Sequence, residues 1–228
     1  GEGINNEVSS FLKSQGISKI DYLILTHNHS DHNGEAKQII NNFNVTNIIV
    51  SAYDNSEFSK HENSIKLRFG SILKTKYINI ECLFPIENSS NINNNSLVLY
   101  FKIKNISFLF TGDIEEEIES QFKSLNIDVL KVSHHGSNTS TTESFINKIK
   151  PKNAIIMSGR NNKFEFPSNE VINRLEKYNC KVYCTKDKYT IILKIKGNKC
   201  IFTSLREKLN KSIKSIYTFG EYIFEMSS

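Results

Sequence analysis

The segment LILTHNHSDHNGE, Leu23 to Glu35, decides how the rest of the chain is read. Its apolar start, with Tyr22 just before it, reads as a strand. Three histidines and an aspartate then fall within six residues, His27, His29, Asp31 and His32, in a chain that has 6 histidines in all. Imidazole and carboxylate together are a donor set for zinc, manganese or iron. His27 and His29 are two apart, so in extended backbone they leave the same side and can reach one ion. Asp31 and His32 are adjacent; in a turn entering a helix they can reach a second ion beside the first. A lone histidine is ordinarily a surface or a satisfied core residue. Four ligand-type residues in six positions do not fit that reading.

Two later segments repeat the grammar of an apolar strand that runs out into ligand-type residues. They are SFLFTGD, Ser107–Asp113, and VLKVSHHGS, Val129–Ser137. Open α/β sheets gather their sites in loops at strand C-termini. Asp113 follows a Thr-Gly turn and can bridge two cations, although TGDIEEE also reads as a helix start with Asp113 as cap. His134 or His135 would complete the shell. His61, in the polar stretch SKHENS, reads as solvated surface, as do Lys131, Lys148, Lys150 and Lys152.

The bounds are compatible with this. The chain has 228 residues and is 38% hydrophobic, with 15 Phe and 9 Tyr, enough for a real core. A net charge of +5 is too weak to name nucleic acid as partner and does not oppose an anionic substrate. Cys82, Cys180, Cys184 and Cys200 lack zinc-ribbon spacing. Cys180 and Cys184, four apart on a strand, would be separated by about 13 Å, too far for a disulfide. Buried thiols in a reducing compartment are expected. No apolar run approaches the roughly 20 residues of a membrane span. The chain opens on Gly1, not Met, which reads as a fragment or processed product. The expected compartment is cytoplasmic, with an extracytoplasmic alternative because a signal peptide would be out of view.

Periodicity predicts alternating helices and strands. Helices are expected over residues 4–15, Glu35–Asn42, Ile114–Leu125, Glu143–Ile149 behind a Thr141 or Thr142 cap, and Glu170–Tyr178 behind Ser168. Strands are expected at Asp21–Thr26, Asn47–Ser51, Lys76–Phe84, Val129–Ser133 and Ala154–Met157. Leu97–Ile103 with Ser107–Thr111, and Lys181–Thr185 with Thr190–Ile195, read as hairpins. Residues 52–70 are ambiguous, with a short helix around Ile65–Phe69, and Glu87–Asn95 is a low-complexity loop. The class is α/β with layered packing. No linker divides the chain, so one domain over 1–228 is expected.

THNHSDHNG resembles the His-x-His-x-Asp-His signature of the metallo-β-lactamase fold. The order of that signature, strand-TGD and strand-HHGS is similar to the hydrolase domain of ComEC-type competence DNA-uptake proteins and their stand-alone relatives. The resemblance runs over about residues 1–195 and leaves 196–228 as an extension. It implies an αββα four-layer sandwich holding one or two divalent metal ions, zinc first and manganese second. His27 and His29 would hold one ion, Asp31 and His32 the other, with Asp113 bridging. His134 is preferred over His135 as the further ligand of the second ion. A metal-bridging hydroxide would be the nucleophile, with Asp31 orienting it.

Three departures from the family pattern matter. Members usually open with strands and an Asp-x-Gly motif; Gly1 or Gly3 would be its glycine, so the first strands, roughly 40 residues, are expected to be missing. Asn93-Asn94-Asn95-Ser96 stands where many members have a third histidine for the first ion, which would leave water or an Asn carbonyl to complete that shell. Phe166-Pro167 stands where related sequences carry His-Pro, which would pass the acid role to His135. Three functions follow: a phosphodiesterase, with nucleic acid or a small anionic molecule as substrate and a role in competence DNA uptake; a hydrolase of lactone, thioester or β-lactam amide bonds; or a non-catalytic metal-stapled module. Exposed aromatics beside a basic groove would point to single-strand nucleic acid, and the loop aromatics to examine are Tyr53, Phe58, Phe164 and Phe166.

Overall fold

The structure, a computed structural model, describes residues 7–160, 162–188, 190–204 and 224–226. The chain divides into two compact units, residues 1–100 with 111–114, and residues 101–110 with 115–228. Gly1, Gly3 and most of the expected C-terminal extension lie outside the described residues.

The first unit opens with α1 (Glu7–Ser14), β1 (Lys19–Ile24), the single turn α2 (Ser30–Asn33), α3 (Ala36–Asn42) and β2 (Asn44–Ser51). β1 lies parallel to β2, with Leu23 opposite Ile48. β3 (Ser64–Leu67) lies parallel to β2 on its other side. β2 is thus the central strand, and Ile48, Ile49 and Val50 are all buried, the continuous apolar run of a parallel strand covered on both faces. Leu25, Ala36 and Phe58 pack with Ile48 and Val50. Each of the larger side chains among these contributes roughly 1.5–3 kcal/mol of burial. The Leu25 N–H still bonds the Ile49 carbonyl at 2.9 Å, so the chain leaves the sheet at Thr26 and places the histidine segment at the C-terminal edge of the strands. Glu35 ties α1 to the start of α3, its carboxylate accepting the Val8 and Ser9 N–H groups at 3.1 and 3.4 Å. β4 (Ile72–Lys74) and β5 (Asn79–Phe84) pair antiparallel, and β6 (Val98–Ile103) begins in this unit and ends in the second.

The second unit contains β7 (Ile106–Phe110), α4 (Glu116–Glu119), β8 (Val129–Lys131), α5 (Glu143–Ile149), β9 (Asn153–Ile156), α6 (Asn169–Lys177) and β10 (Lys181–Cys184). β7, β8, β9 and β10 run parallel in that order. The caps read from sequence are present: Thr142 Oγ1 accepts the Phe145 N–H, and Ser168 Oγ the Val171 N–H. α5 buries Phe145, Ile146 and Ile149 completely, then ends at Lys150 in left-handed backbone before Pro151. α7 (Thr185–Lys188) follows β10, and β11 (Ile191–Lys196) pairs antiparallel with β12 (Lys199–Ser204) and β13 (Phe224–Met226). All four cysteines are unpaired, and burial pushes the Cys82 and Cys180 thiols up to about 12.

Four expectations are corrected. Ile65–Phe69 is not helical: Ile65 and Leu67 belong to β3, where a four-residue parallel strand is too short to leave a period. The helix expected over Ile114–Leu125 is only α4; Ser120 and Gln121 side chains bond the Glu117 carbonyl, offering the chain an alternative to the next turn. Lys181–Thr185 does not pair with Thr190–Ile195; it pairs with β9, and the hairpin is β11–β12, across Gly197 at φ 60. Gly-Asn supplies the left-handed residue that a tight hairpin needs, and Asp187-Lys188 does not. Lys131 is not on a solvated face: it is buried in β8, between two parallel neighbours. No described helix is long and apolar enough to cross a membrane.

Candidate metal centre

The first unit gathers His27, His29, Asp31, His32 and Asp113. His27 is 1% exposed, and its ring is fixed from behind: Nδ1 lies 3.1 Å from Ser96 Oγ and 3.2 Å from Thr26 Oγ1. Its Nε2 therefore points forward, 3.1 Å from His29 Nδ1 and 3.9 Å from Asp113 Oδ2. His29 is extended (φ −112, ψ 149) and α2 starts one residue later, which swings Asp31 and His32 round to the same place. His32 Nε2 lies 2.9 Å from Asp113 Oδ2 and 3.7 Å from Asp31 Oδ2, and its Nδ1 3.3 Å from Thr26 Oγ1. Ligand atoms of Asp31, His32 and Asp113 all lie within 4.8 Å of one another.

Asp113 reaches this place through two small residues. Gly112 is left-handed at φ 53, and a Cβ there would lie 2.6 Å from Ser96 Cβ. Only glycine permits both the conformation and the approach. The Asp113 N–H then donates to Ser96 Oγ at 3.0 Å. Leu97 N–H bonds the Thr26 carbonyl at 2.9 Å, which holds Ser96 against the histidine segment. Ser96 and Thr26 are residues that sequence reasoning missed as participants. Within the Asn93–Ser96 stretch the Ser96 hydroxyl touches His27, on Nδ1. Asn95 instead donates to the Ser89 carbonyl at 2.8 Å.

His134 and His135 belong to the second unit, in a turn that follows β8. Both are left-handed (φ 47 and 53), as is Gly136 (φ 83). His135 Nδ1 donates to the Met157 carbonyl at 2.7 Å. That bond sets the tautomer and puts the ring lone pair on Nε2. His134 Nδ1 lies 3.3 Å from Glu115 Oε1, and its ring meets Phe166 edge-on at 5.7 Å. Glu119, within the helix expected over Ile114–Leu125, is fully buried. Its two carboxylate oxygens accept the N–H groups of Thr141 and Thr142, in the loop that continues from the histidine turn. Burial pushes its carboxyl from 4.5 up to about 7, against the lowering effect of those two N–H groups.

The donor set suits a divalent cation. Two nitrogens bound to one tetrahedral ion at about 2.0–2.1 Å would stand roughly 3.3 Å apart, close to the spacing of His27 Nε2 and His29 Nδ1. A metal-binding imidazole is ordinarily oriented by a hydrogen bond at its far ring nitrogen, the place Ser96 and Thr26 take at His27. Residues 3–94 and 91–160 match the metallo-beta-lactamase superfamily. The chain belongs to that superfamily. Its sequence is 34% identical to ComE operon protein 3 of Bacillus subtilis over 82% of this chain and 26% of that protein. It is 32% identical to Recombination protein 2 of Haemophilus influenzae over 75% of this chain and 22% of that protein. The chain thus spans about a quarter of the curated relatives' length. Among solved structures it is similar to the metallo-beta-lactamase fold protein YhfI from Bacillus subtilis, with a TM-score of 0.53 and 14% identity over 78% of this chain and 80% of that one. The mixed α/β architecture is therefore that of the metallo-beta-lactamase fold. This superfamily is typically hydrolytic and metal-dependent, and the fold carries many different reactions, so the reaction has to be argued from the residues.

Proposed function

We propose that the protein is a metal-dependent phosphodiesterase acting on nucleic acid. The observation that carries the reading is Asp113: one buried carboxylate oxygen lies 2.9 Å from His32 Nε2 and 3.9 Å from His27 Nε2, between the two ligand groups of the LILTHNHSDHNGE segment. On this reading His27 and His29 would hold one divalent ion and Asp31 and His32 a second, with Asp113 available to both. Zinc suits the imidazoles, and manganese suits the carboxylate-richer second set. When bound, such a pair supplies a water of lowered pKa and stabilises charge on the attacked phosphorus.

The protein's own residues do the rest. Asp31 is 44% exposed at its side chain, on the open side of the cluster, where it would accept a hydrogen bond from the attacking water and orient it. Of the second pair, His135 is the better ligand, because its Nδ1–H is committed to the Met157 carbonyl in the manner of supported metal-binding histidines. His134, held between Glu115 and Thr139, would then be the acid that protonates the leaving oxygen. The preference between the two histidines is thus the reverse of the one read from sequence. The names of the relatives, an operon protein of the ComE group and a recombination protein, support nucleic acid over a lactone or β-lactam.

The test is elemental analysis of the purified chain together with turnover of bis-p-nitrophenyl phosphate. Close to two metal ions per chain is expected, with turnover lost at least 100-fold in the His27→Ala/Asp113→Ala variant. A fully metallated wild-type chain that leaves phosphodiesters intact would refute the reading.

A further inference from the structure

The loop between β9 and α6 is built more firmly than a connection requires. The Asn162 side chain closes it: Nδ2 donates to the Gly159 and Phe166 carbonyls, both at 2.8 Å, and Oδ1 accepts the Phe166 N–H at 2.8 Å. The Glu165 N–H adds a bond to the Asn162 carbonyl at 3.1 Å. Glu165 itself is left-handed, at φ 56. The result is that Phe164 and Phe166, two apart, stack with ring centres 5.4 Å apart and planes 20° from parallel. The loop is also fastened to the histidine turn of its own unit. The Ser168 N–H bonds the Gly136 carbonyl at 2.9 Å, and Phe166 meets the His134 ring.

Such a pair is costly as a structural device, since Phe164 leaves 63% of its surface in water. The charges around it are basic on balance. Lys163 Nζ lies 5.0 Å from the Phe164 ring centre, and Arg160 belongs to the same loop, against the single acid Glu165. Of the other loop aromatics marked in the sequence, Phe58 is buried in the core of the first unit, and the Tyr53 hydroxyl donates to the Ile86 carbonyl at 2.9 Å.

We propose that Phe164 and Phe166 form a stacking subsite for an unpaired base of a single-stranded nucleic acid, with Lys163 receiving the adjoining phosphate. The proposal rests on the phosphodiesterase reading and narrows its substrate to single strands. A base exposes the π-face that such a platform needs only when it is not already stacked in a duplex, and every base has one, so the subsite selects for strandedness and not for sequence. Its rigidity, set by Asn162, means that little ordering is needed on binding.

The chain contains no tryptophan, so Phe164→Trp places a single reporter in the subsite. The variant of the whole 228-residue chain is titrated with a ten-residue oligothymidylate carrying hydrolysis-resistant phosphorothioate linkages, with an abasic strand of equal length and charge, and with the corresponding duplex. Saturable quenching by the oligothymidylate alone is expected. With the wild-type chain and a labelled oligothymidylate, Phe164→Ala should weaken binding about 5- to 150-fold while Phe164→Tyr holds it. Equal quenching by the abasic strand or the duplex, or unchanged affinity in Phe164→Ala, overturns the proposal. Turnover of bis-p-nitrophenyl phosphate by the wild-type chain is read separately. Turnover without base-dependent quenching removes only the subsite, and quenching without turnover removes only the hydrolase reading.

Discussion

Two turns of the protein carry paired histidines at the end of a parallel strand: His27 and His29 after β1, His134 and His135 after β8. In the first, the backbone is ordinary, and His29 is simply extended before a helical turn. The imidazoles are placed by side chains, with Ser96, Thr26, His32 and Asp113 around them. In the second, His134, His135 and Gly136 are all left-handed, which costs the two histidines on the order of 1–3 kcal/mol each. That strain is held by main-chain and packing partners: the Met157 carbonyl, Pro167 against Gly136, and Glu119 under Thr141 and Thr142. One turn is specified by side-chain contacts and the other by backbone shape. They should therefore fail differently.

The largest effect is expected from the same substitution made in each turn. Gly136 sits at φ 83, and a Cβ there would be 2.6 Å from Pro167 Cβ and 3.2 Å from Pro167 Cα. Gly136→Ala meets both the left-handed penalty and the clash, and should cost about 3 kcal/mol or more of unfolding free energy. Gly34, in the first turn, is exposed and right-handed helical (φ −57, ψ −32). Gly34→Ala should be neutral or stabilising, within about 1 kcal/mol. Urea denaturation of the two variants decides the matter, and equal losses would break the comparison.

Glu119 gives the next effect, confined to the backbone-built turn. Its folded carboxyl is raised to about 7 from a usual 4.5 by burial. Between those values the folded protein binds more protons than the unfolded chain, so this group's contribution to stability falls as pH rises through that window and is flat above it. Glu119→Gln removes the titration. The unfolding free energy of the wild type relative to this variant should decline by on the order of 2 kcal/mol from pH 5 to pH 7.5. Parallel pH profiles for the two proteins would show that Glu119 titrates normally.

The same division explains what the sequence could tell. The first cluster was legible because four ligand-type residues fall within six positions, and Asp113 was legible because Thr-Gly-Asp closes a strand. Helices α5 and α6 were legible through their caps and their apolar faces. Ser96 was not, since its hydroxyl meets His27 across 69 residues of chain and a serine beside three asparagines carries no signal. Glu119 was hidden among Glu115, Glu116 and Glu117, where pattern reads a solvated face. Left-handed backbone at two histidines leaves no trace in composition or period, because the side chains that enforce it lie in other segments. The Phe164–Phe166 stack depends on Asn162 and Glu165, which read only as loop.

Ser96→Ala should produce a small change in stability and the most selective change in function. The Ser96 hydroxyl is shared by His27 Nδ1 and the Asp113 N–H, one partner from each of the two segments that meet at the candidate centre. Removing it leaves the fold in place, because its loss amounts to about 1 kcal/mol of hydrogen bonding. It also leaves His27 with Thr26 Oγ1 at 3.2 Å as an orienting partner. Metal affinity should nevertheless fall about tenfold, the lower end of what outer-shell substitutions cost. Competition against a chromophoric chelator measures that loss, and urea denaturation in the same buffer measures stability. Affinity lost with stability kept is the opposite of the Gly136→Ala outcome, and it is what a turn specified by side chains requires. If Ser96→Ala instead unfolds the chain while its remaining folded fraction binds metal normally, the hydroxyl holds backbone and not ligands, and the two turns are built alike.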